Sequence, residues 1–451
     1  MSRRNKPPKF AHTVREVIDM ASIWSETSTL PSFEPLDGDI RTDVLIIGGG
    51  VAGLLCAKKL QDAGVDYLLC EADTICSGIT KSTTAKITVQ HGLIYHKLVK
   101  KFGGEKTCLY LEANQQALNQ FHQLCSGIDC DYTRQDSYVY SISDREKLDD
   151  ELMALDTLHF PAEFAGTLPL PFSTLGAVKF PKQAQFHPLK FLAAIAPGLN
   201  IQEHTPIRQL GKHTAVTDRG TITAKKIIIA THFPILNKHG SFFLKLYQHR
   251  SYCLALENAG HVGGMYVDER QTGLSFREQG DLLILGGGSH RTGKPGGNWA
   301  ELERFAEKHY PESKIRYRWA TQDCMTLDGI PYIGQYSAMT KDLYVATGFN
   351  KWGMTSSMVA ANILADLVTG RDNPFAAVFS PSRSILHRQL GINAFESITN
   401  LLSISEKRCP HLGCALKWNP AEHTWDCPCH GSRFEENGKL IDNPATGDLK
   451  K

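Results

Sequence analysis

Residues 43–53 read Asp43-Val44-Leu45-Ile46-Ile47-Gly48-Gly49-Gly50-Val51-Ala52-Gly53, and their order decides the fold. Val44 to Ile47 is an unbroken apolar run, the pattern of a strand buried on both faces. The glycines that follow fit G-x-G-x-x-G at Gly48, Gly50 and Gly53. In that pattern the first glycine permits a tight turn and the second lets backbone approach a pyrophosphate. The third lets the helix pack on the strand. Leu54 to Leu60 then read as a helix, Gly64 ends it, and Tyr67 to Glu71 form a second strand. This is a strand–helix–strand unit at the spacing of a parallel sheet. The helix N-terminus faces the phosphates, and Glu71 can accept hydrogen bonds from a ribose hydroxyl. The cradle points to a dinucleotide and leaves FAD and NAD both open.

Further along, Lys226 to Thr231 and Leu343 to Gly348 read as two more buried strands, the second followed by a helix from about Thr355 to Thr369. Parallel-type strands so far apart imply a discontinuous domain with a second domain inserted between its pieces. The polar residues 1–40 read as an extended lead-in with one short helix around Thr13–Ser22. Residues 95–160 read as mainly helical, with a strand near Ser137–Ser143. Leu386, Leu390, Phe395, Ile398 and Leu402 recur near helical spacing, which predicts an amphipathic linker helix. A second glycine run, Leu283 to Gly288, has no helical pattern after it and reads as a strand ending in a turn. The chain therefore offers one dinucleotide cradle.

A length of 451 residues suits two or three domains. Charged residues make up 21% and hydrophobic ones 42%, which excludes disordered and fibrous classes. The net charge of +2 gives no electrostatic reason to expect nucleic acid or an anionic membrane as partner. No apolar run reaches the ~18 residues of a membrane span. Met-Ser-Arg-Arg at the N-terminus precedes no apolar stretch, so no signal peptide is expected. Eight of the twelve cysteines are scattered, as reduced core thiols of a cytoplasmic protein would be.

The other four cysteines lie together: Cys409-Pro410-His411-Leu412-Gly413-Cys414, then Cys427-Pro428-Cys429-His430-Gly431-Ser432. The spacing is C-x-H, fifteen residues, C-x-x-H. Two thiolates and two imidazoles suit zinc in general, though the spacing is not that of a zinc finger. One Cys and one His in each of two loops matches a Rieske [2Fe–2S] centre.

Residues from about 40 to 375 resemble the D-amino-acid-oxidase-like family of FAD-dependent oxidoreductases, the glycine and sarcosine oxidase group. The matching pieces are residues 43–53, Ile227-Ile228-Ile229-Ala230-Thr231, Thr326-Leu327-Asp328-Gly329-Ile330-Pro331-Tyr332-Ile333-Gly334 and Ala346-Thr347-Gly348-Phe349-Asn350-Lys351-Trp352-Gly353-Met354-Thr355. The resemblance implies an α/β flavoprotein. Its discontinuous Rossmann-like FAD-binding domain would comprise residues about 41–110, 200–235 and 320–375. An α+β substrate domain would comprise about 111–199 and 236–319. Gly348, Gly353, Met354 and Thr355 would lie beside the flavin ring, where a helix dipole stabilises negative charge on the reduced form. The hydroxyls of Ser77-Gly78-Ile79-Thr80-Lys81-Ser82-Thr83-Thr84-Ala85, those of Thr83 and Thr84 above all, could contact the pyrophosphate together with Lys81. Glycine-oxidase-like relatives carry a carboxylate-binding Arg five residues before the Asp of their Asp-Gly-x-Pro segment. That position is Asp323 here, which favours a cationic amine as substrate. Lys351, Arg277, Tyr252, His290 and Arg291 are pocket candidates by position.

Residues 407–451 closely resemble the cluster-binding part of Rieske domains, joined through a linker over 376–406. The resemblance implies Cys409 and Cys427 on one iron and His411 and His430 on the other. It also implies a loop-bridging disulfide between Cys414 and Cys429. A complete Rieske fold has strands ahead of its first ligand loop. Here that base must be absent or supplied by the flavin domains. A flavin takes two electrons and a Rieske centre carries one, so the chain reads as a two-to-one electron converter. The expected activity is a dehydrogenase that oxidises an amine or amino-acid-like substrate by hydride transfer to FAD. Electrons would leave singly through the β-rich Rieske module to a one-electron acceptor protein or quinone. An NAD(P)H-driven reductase and a non-catalytic redox-sensing module remain as alternatives.

The sequence also bears on the cluster's potential. Hydrogen bonds to cluster sulfurs favour the reduced form and raise the potential. Respiratory-type Rieske centres carry a Tyr donor two residues beyond the Ser that Ser432 matches, and here that residue is Phe434. One charge-assisted hydrogen bond is worth about 1.5–3 kcal/mol, on the order of 60–130 mV for a one-electron couple. Redox titration of Phe434→Tyr should show a rise of that order. An intact cluster with no upward shift refutes the argument.

Overall fold

The computed structural model describes residues 21–236, 239–405 and 407–450. The helix expected at Thr13–Ser22 lies almost wholly outside them. Among the described lead-in residues, Ile23–Glu26 form a short helix capped by Ser22. Trp24 is buried there and donates its indole N–H to the carbonyl of Thr83 at 2.7 Å.

The strand Ile40–Ile47 is the centre of the first sheet. Thr221–Ile229 lies parallel on one side and Tyr67–Cys70 parallel on the other, pairing Ile47 with both Ile229 and Cys70. Leu343–Thr347 continues the parallel set beyond Thr221–Ile229. Three segments distant in sequence thus meet because each is an apolar run that must bury both faces. The helices Val51–Asp62 and Gly353–Thr369 pack together over this sheet. Gly53 makes the strand–helix turn possible: a Cβ there would lie 1.9 Å from the carbonyl oxygen of Gly48.

The second sheet is mostly antiparallel and is built from Lys314–Thr326, Leu246–Glu257, Leu282–Arg291, Ser275–Gln279, Met265–Asp268, Thr133–Tyr140 and Ala177–Gln185, with shorter edge strands. The glycine run at 286–288 does not end its strand, as the sequence suggested. The strand continues to Arg291, with Gly286 and Gly287 paired to Cys253 and Tyr252. Close packing explains the glycines. A Cβ on Gly286 would meet Ser275 Oγ at 2.6 Å, and one on Gly287 would meet Leu274 at 2.6 Å. The architecture is therefore mixed α/β, as the resemblance implied, with a small β-rich module at the C-terminus.

That module is a four-stranded antiparallel sheet: Lys417–Asn419, Thr424–Asp426, Arg433–Glu435 and Leu440–Asp442. The described residues provide no strands between the linker helix Arg388–Leu402 and the first cysteine loop. The missing base is the second sheet of the flavin protein. Arg250, 2% exposed, binds Glu422 of the module through its guanidinium. Arg433 of the module binds the same carboxylate at 2.7 Å, Asp426 at 3.1 Å and Asp442 at 3.2 Å. Gln322 donates to the Gly431 carbonyl at 2.8 Å. Asn443 donates to the carbonyls of Thr231 and Phe233. These are polar contacts away from water, where each group requires its partner.

Burial would raise the pKa of Glu422, but Arg250 and Arg433 outweigh it and bring the value from 4.5 down to about 2. A depressed carboxylate stabilises the folded form fully above its unfolded pKa. The contribution is lost as pH falls through the folded one. Docking of the module should hold above pH 4.5 and weaken progressively toward pH 2. Glu422→Gln takes the carboxylate from buried Arg250, while Arg433 keeps Asp426 and Asp442, and should cost about 3–5 kcal/mol. Fluorescence of Trp418 and Trp425 during acid titration checks both. An unchanged acid midpoint in Glu422→Gln contradicts the assignment.

Candidate flavin cavity and iron–sulfur centre

A cavity of about 1410 Å³ runs from the glycine turn to the second sheet. Gly48 and Gly50 line one end, with Glu71, Thr83 and Thr84. Gly48 has φ +111° and a Cβ there would lie 2.7 Å from the carbonyl oxygen of Ala230. At Gly50 an added Cβ would meet only Thr80 Oγ1, at 3.2 Å. The space above Gly50 is therefore open where a pyrophosphate would run. Thr80 Oγ1 also accepts the backbone N–H of Val51, the first residue of the helix. Thr80 belongs to the hydroxyl-rich stretch 77–85 expected at the pyrophosphate and lies in the 3-10 turn Ile79–Ser82. Glu71 accepts the N–H groups of Gly49 at 2.6 Å and Asp73 at 3.1 Å. Burial raises its pKa and those bonds oppose the rise. Thr83 Oγ1 accepts from the N–H of Ala85, and Thr84 Oγ1 from Lys86 Nζ. These residues form a cradle that fits a dinucleotide.

At the other end Gly348, Gly353 and Met354 line the cavity with Lys351 and Asp323. Thr355 does not reach it. Its hydroxyl donates to the Thr88 carbonyl and lies 3.0 Å from His91 Nε2. Lys351 donates to Ser251 Oγ at 3.2 Å and Ser289 Oγ at 3.0 Å. Burial lowers its pKa and Asp323 partly restores it. Burial raises Asp323, against the pull of Lys351, His232 and Arg250. This end of the cavity thus pairs a buried amine with a buried carboxyl, each opposing the other's shift. His91, missed in the sequence, stacks on Trp352 with centroids 5.3 Å apart. Burial lowers its pKa to about 3, so its ring is neutral.

The other pocket candidates do different work. Arg277 lies outside the cavity lining. Its guanidinium donates to the carbonyls of Thr84, Ala85 and Glu278. It is a structural peg under the cradle. His290 stacks on Tyr252 at 5.8 Å and bonds the Gly288 carbonyl, also outside the lining. Arg291 bonds Asn393 Oδ1 at 3.0 Å and the Pro428 carbonyl at 3.3 Å, tying the flavin protein to the cluster loops. Tyr252 does line the cavity, and burial pushes its hydroxyl up to about 12. Position along a strand could not distinguish these cases, because adjacent residues face opposite sides of the sheet.

At the C-terminus Cys414 and Cys429 form a disulfide, while Cys409 and Cys427 are free and buried. The Cys427 sulfur lies within 4.8 Å of both disulfide sulfurs. The thiols of Cys409 and Cys427 bond each other. That bond, with help from Ser432 and the N–H groups of His411 and Leu412, lowers Cys409 to about 7 despite burial. The rings of His411 and His430 are 4.9 Å apart. Nε2 of His430 binds the Phe243 carbonyl at 3.0 Å, and its buried Nδ1 has no hydrogen-bond partner. The carbonyl fixes the proton on Nε2 and leaves the Nδ1 lone pair for a metal. Two buried thiols in contact, beside two imidazoles that burial keeps neutral, are the donor set of a [2Fe–2S] cluster.

The comparisons agree with this geometry. Residues 43–367 match the family described as FAD dependent oxidoreductase, and residues 388–451 match the Rieske [2Fe-2S] domain. The Bacillus subtilis (strain 168) protein YhfW, provisionally named a Rieske 2Fe-2S iron-sulfur protein, is 35% identical over 491 aligned positions. That alignment covers 95% of this chain and 96% of YhfW. The cytochrome b6-f complex iron-sulfur subunit of Nostoc punctiforme (strain ATCC 29133 / PCC 73102) is 54% identical over 37 residues, covering 8% of this chain and 21% of its own. The fold resembles glycine oxidase from Geobacillus kaustophilus with TM-score 0.64 and 21% identity, over 76% of this chain and 99% of that one. The chain belongs to the FAD-dependent oxidoreductases of the D-amino-acid-oxidase-like family and carries a C-terminal Rieske domain. FAD and a [2Fe–2S] cluster are the cofactors this membership implies.

Two glycine substitutions separate folding from cofactor binding. Gly53→Ala forces a Cβ into backbone and should impair folding itself. Gly50→Val meets one rotatable hydroxyl and should fold but lose its flavin, because the side chain takes the pyrophosphate's place. Absorbance of the purified proteins reports the flavin. Folded Gly50→Val that keeps stoichiometric FAD contradicts the assignment.

Proposed function

We propose that this protein is a dehydrogenase that oxidises an amine or amino-acid-like small molecule, with electrons passing from FAD to the Rieske cluster within the chain. When bound, the flavin supplies acceptance of a hydride equivalent and the cluster supplies one-electron transfer. The observation that supports the reading is a shared wall. The loop from Ala230 to Phe233 touches the glycine turn at Gly48 and ends with the Phe233 ring 6.3 Å from His411 and 6.1 Å from His430. Asp442, Asn443 and Ala445 of the Rieske module line the same cavity as Gly48 and Glu71.

In this reading Gly48, Gly50, Gly53, Glu71, Thr83 and Thr84 hold the nucleotide, with Gly348, Gly353 and Met354 beside the ring. Asp323 offers a carboxylate to a substrate ammonium, and Lys351 can hold a carboxylate where the substrate has one. Both are buried, so each would exchange a costly isolated charge for a partner on binding. Cys409, Cys427, His411 and His430 hold the cluster. His430 faces the flavin protein through Phe243, while His411 is the more exposed imidazole. His411 is therefore the exit side, toward an acceptor protein or quinone. The eight scattered free thiols support a cytoplasmic location. Among the described residues no helix is long and apolar enough to cross a membrane.

His411→Ala should leave reduction of the flavin by substrate intact and abolish turnover with one-electron acceptors. An anaerobic amine screen that follows flavin absorbance, then acceptor assays, tests both halves. A variant that passes electrons to one-electron acceptors as fast as the parent shows that the cluster is not the exit. Flavin bleached by NADH alone and by no amine points instead to a reductase.

A further inference from the structure

The linker helix Arg388–Leu402 is mounted with its polar side inward. Asn393 and Asn400, seven residues apart and so on one face, are its buried residues. Asn393 donates to the Leu244 carbonyl at 3.0 Å and accepts from Arg291 at 3.0 Å. The Asn400 carbonyl accepts the N–H of Ala415 in the cluster module. Phe395, Ile398 and Leu402 occupy the opposite face, and each is more than half exposed. Leu386 before the helix and Ile404 after it extend the apolar ridge into solvent. An amphipathic helix that serves only its own core shows the reverse arrangement.

The ridge is continuous with the cluster loop. A Cβ on Gly413 would lie 3.9 Å from the Leu401 side chain. Arg408 spans the join, donating to the carbonyls of Leu401 at 3.1 Å and Gly413 at 2.8 Å. Leu412, next to the ligand His411, is exposed on the same loop.

We propose that this ridge docks the protein on the surface of an anionic lipid bilayer, with the helix lying in the headgroup plane. Three observations favour lipid over a second copy of the chain. Residues 386–405 hold a single carboxylate, Glu396, and it is turned inward onto Lys294 at 2.6 Å. Among the described residues, the charged ones left exposed beside the ridge are Arg388 and Arg408, which suit anionic headgroups. A 15-residue helix is roughly 22 Å long and about 10 Å wide. Two such ridges would bury on the order of 450 Å² together, well short of the ~1,200 Å² of a stable interface. A convex apolar ridge needs no complementary surface to enter a bilayer's interface. The net charge of +2 gives little long-range attraction, so the apolar side chains carry the binding and the two arginines select the lipid.

The role of this docking in electron exit rests on the function proposed above; the binding itself does not. The test is co-sedimentation of the full-length holoprotein with vesicles of phosphatidylcholine and phosphatidylglycerol, with pure phosphatidylcholine vesicles beside them. The parent should partition onto the anionic vesicles more than onto the neutral ones. The double variant Phe395→Asp/Ile398→Asp should lose binding by at least about tenfold, with flavin and cluster absorbance unchanged. Ile404→Glu, outside the helix, should weaken it as well. A parent that sediments with neither vesicle overturns the proposal. So does a parent that forms dimers dispersed by these substitutions, since a second copy then covers the ridge. Anaerobic reduction by substrate without vesicles, with the cluster followed by electron paramagnetic resonance, tests the intrachain transfer separately.

Discussion

Glu422 lies between two guanidiniums, Arg250 from the second sheet and Arg433 from its own module. Neither arginine could be buried alone at tolerable cost, and the carboxylate joins them across the boundary between the two parts. Around this cluster the module is held by neutral donors and acceptors: Gln322 on Gly431, Asn443 on Thr231 and Phe233, and Phe243 on His430. A truncated Rieske sheet with its own apolar base would have needed none of these. Here the second sheet and its neighbouring loops supply these partners, and the Phe243 carbonyl orients one cluster ligand, His430, from across the boundary.

That constraint accounts for the shape of the central cavity. Its walls come from the glycine turn, from the strands of the second sheet and from the C-terminal residues of the module. The docked module therefore supplies part of the cavity wall, through Asp442, Asn443 and Ala445. Lys351 and Asp323 line the cavity's inner end beside Gly348, Gly353 and Met354. Trp352 is backed by the neutral His91, which Tyr110 and Thr355 hold by hydrogen bonds. The polar groups are held in place before a ligand arrives, which lowers the ordering cost of binding.

The linker helix obeys the same logic from outside. Asn393 satisfies Arg291 and the Leu244 carbonyl at the seam, so the inward face is polar there by necessity. The apolar residues were left for the exterior.

Some of this was legible in the sequence because the physics is local. An apolar run, three glycines and a following helix define a strand–turn–helix cradle whatever surrounds them, and the paired Cys and His of two loops define a donor set by chemistry alone. The strands Thr221–Ile229 and Leu343–Thr347 were legible for the same reason: their buried stretches, Ile227 to Ile229 and Leu343 to Ala346, are continuous apolar runs. Tertiary structure alone decided which side of a strand each polar residue serves. Arg277, His290 and Arg291 sit one or two positions from cavity residues, yet they bind carbonyls, a tyrosine ring and the cluster loops instead. The direction of the linker helix was equally hidden, because periodicity shows that a helix has two faces and not which one meets the protein. The replacement of a missing Rieske base by Arg250 and Gln322 was beyond reach as well. These contacts join residues more than a hundred positions apart, and only the folded chain brings them together.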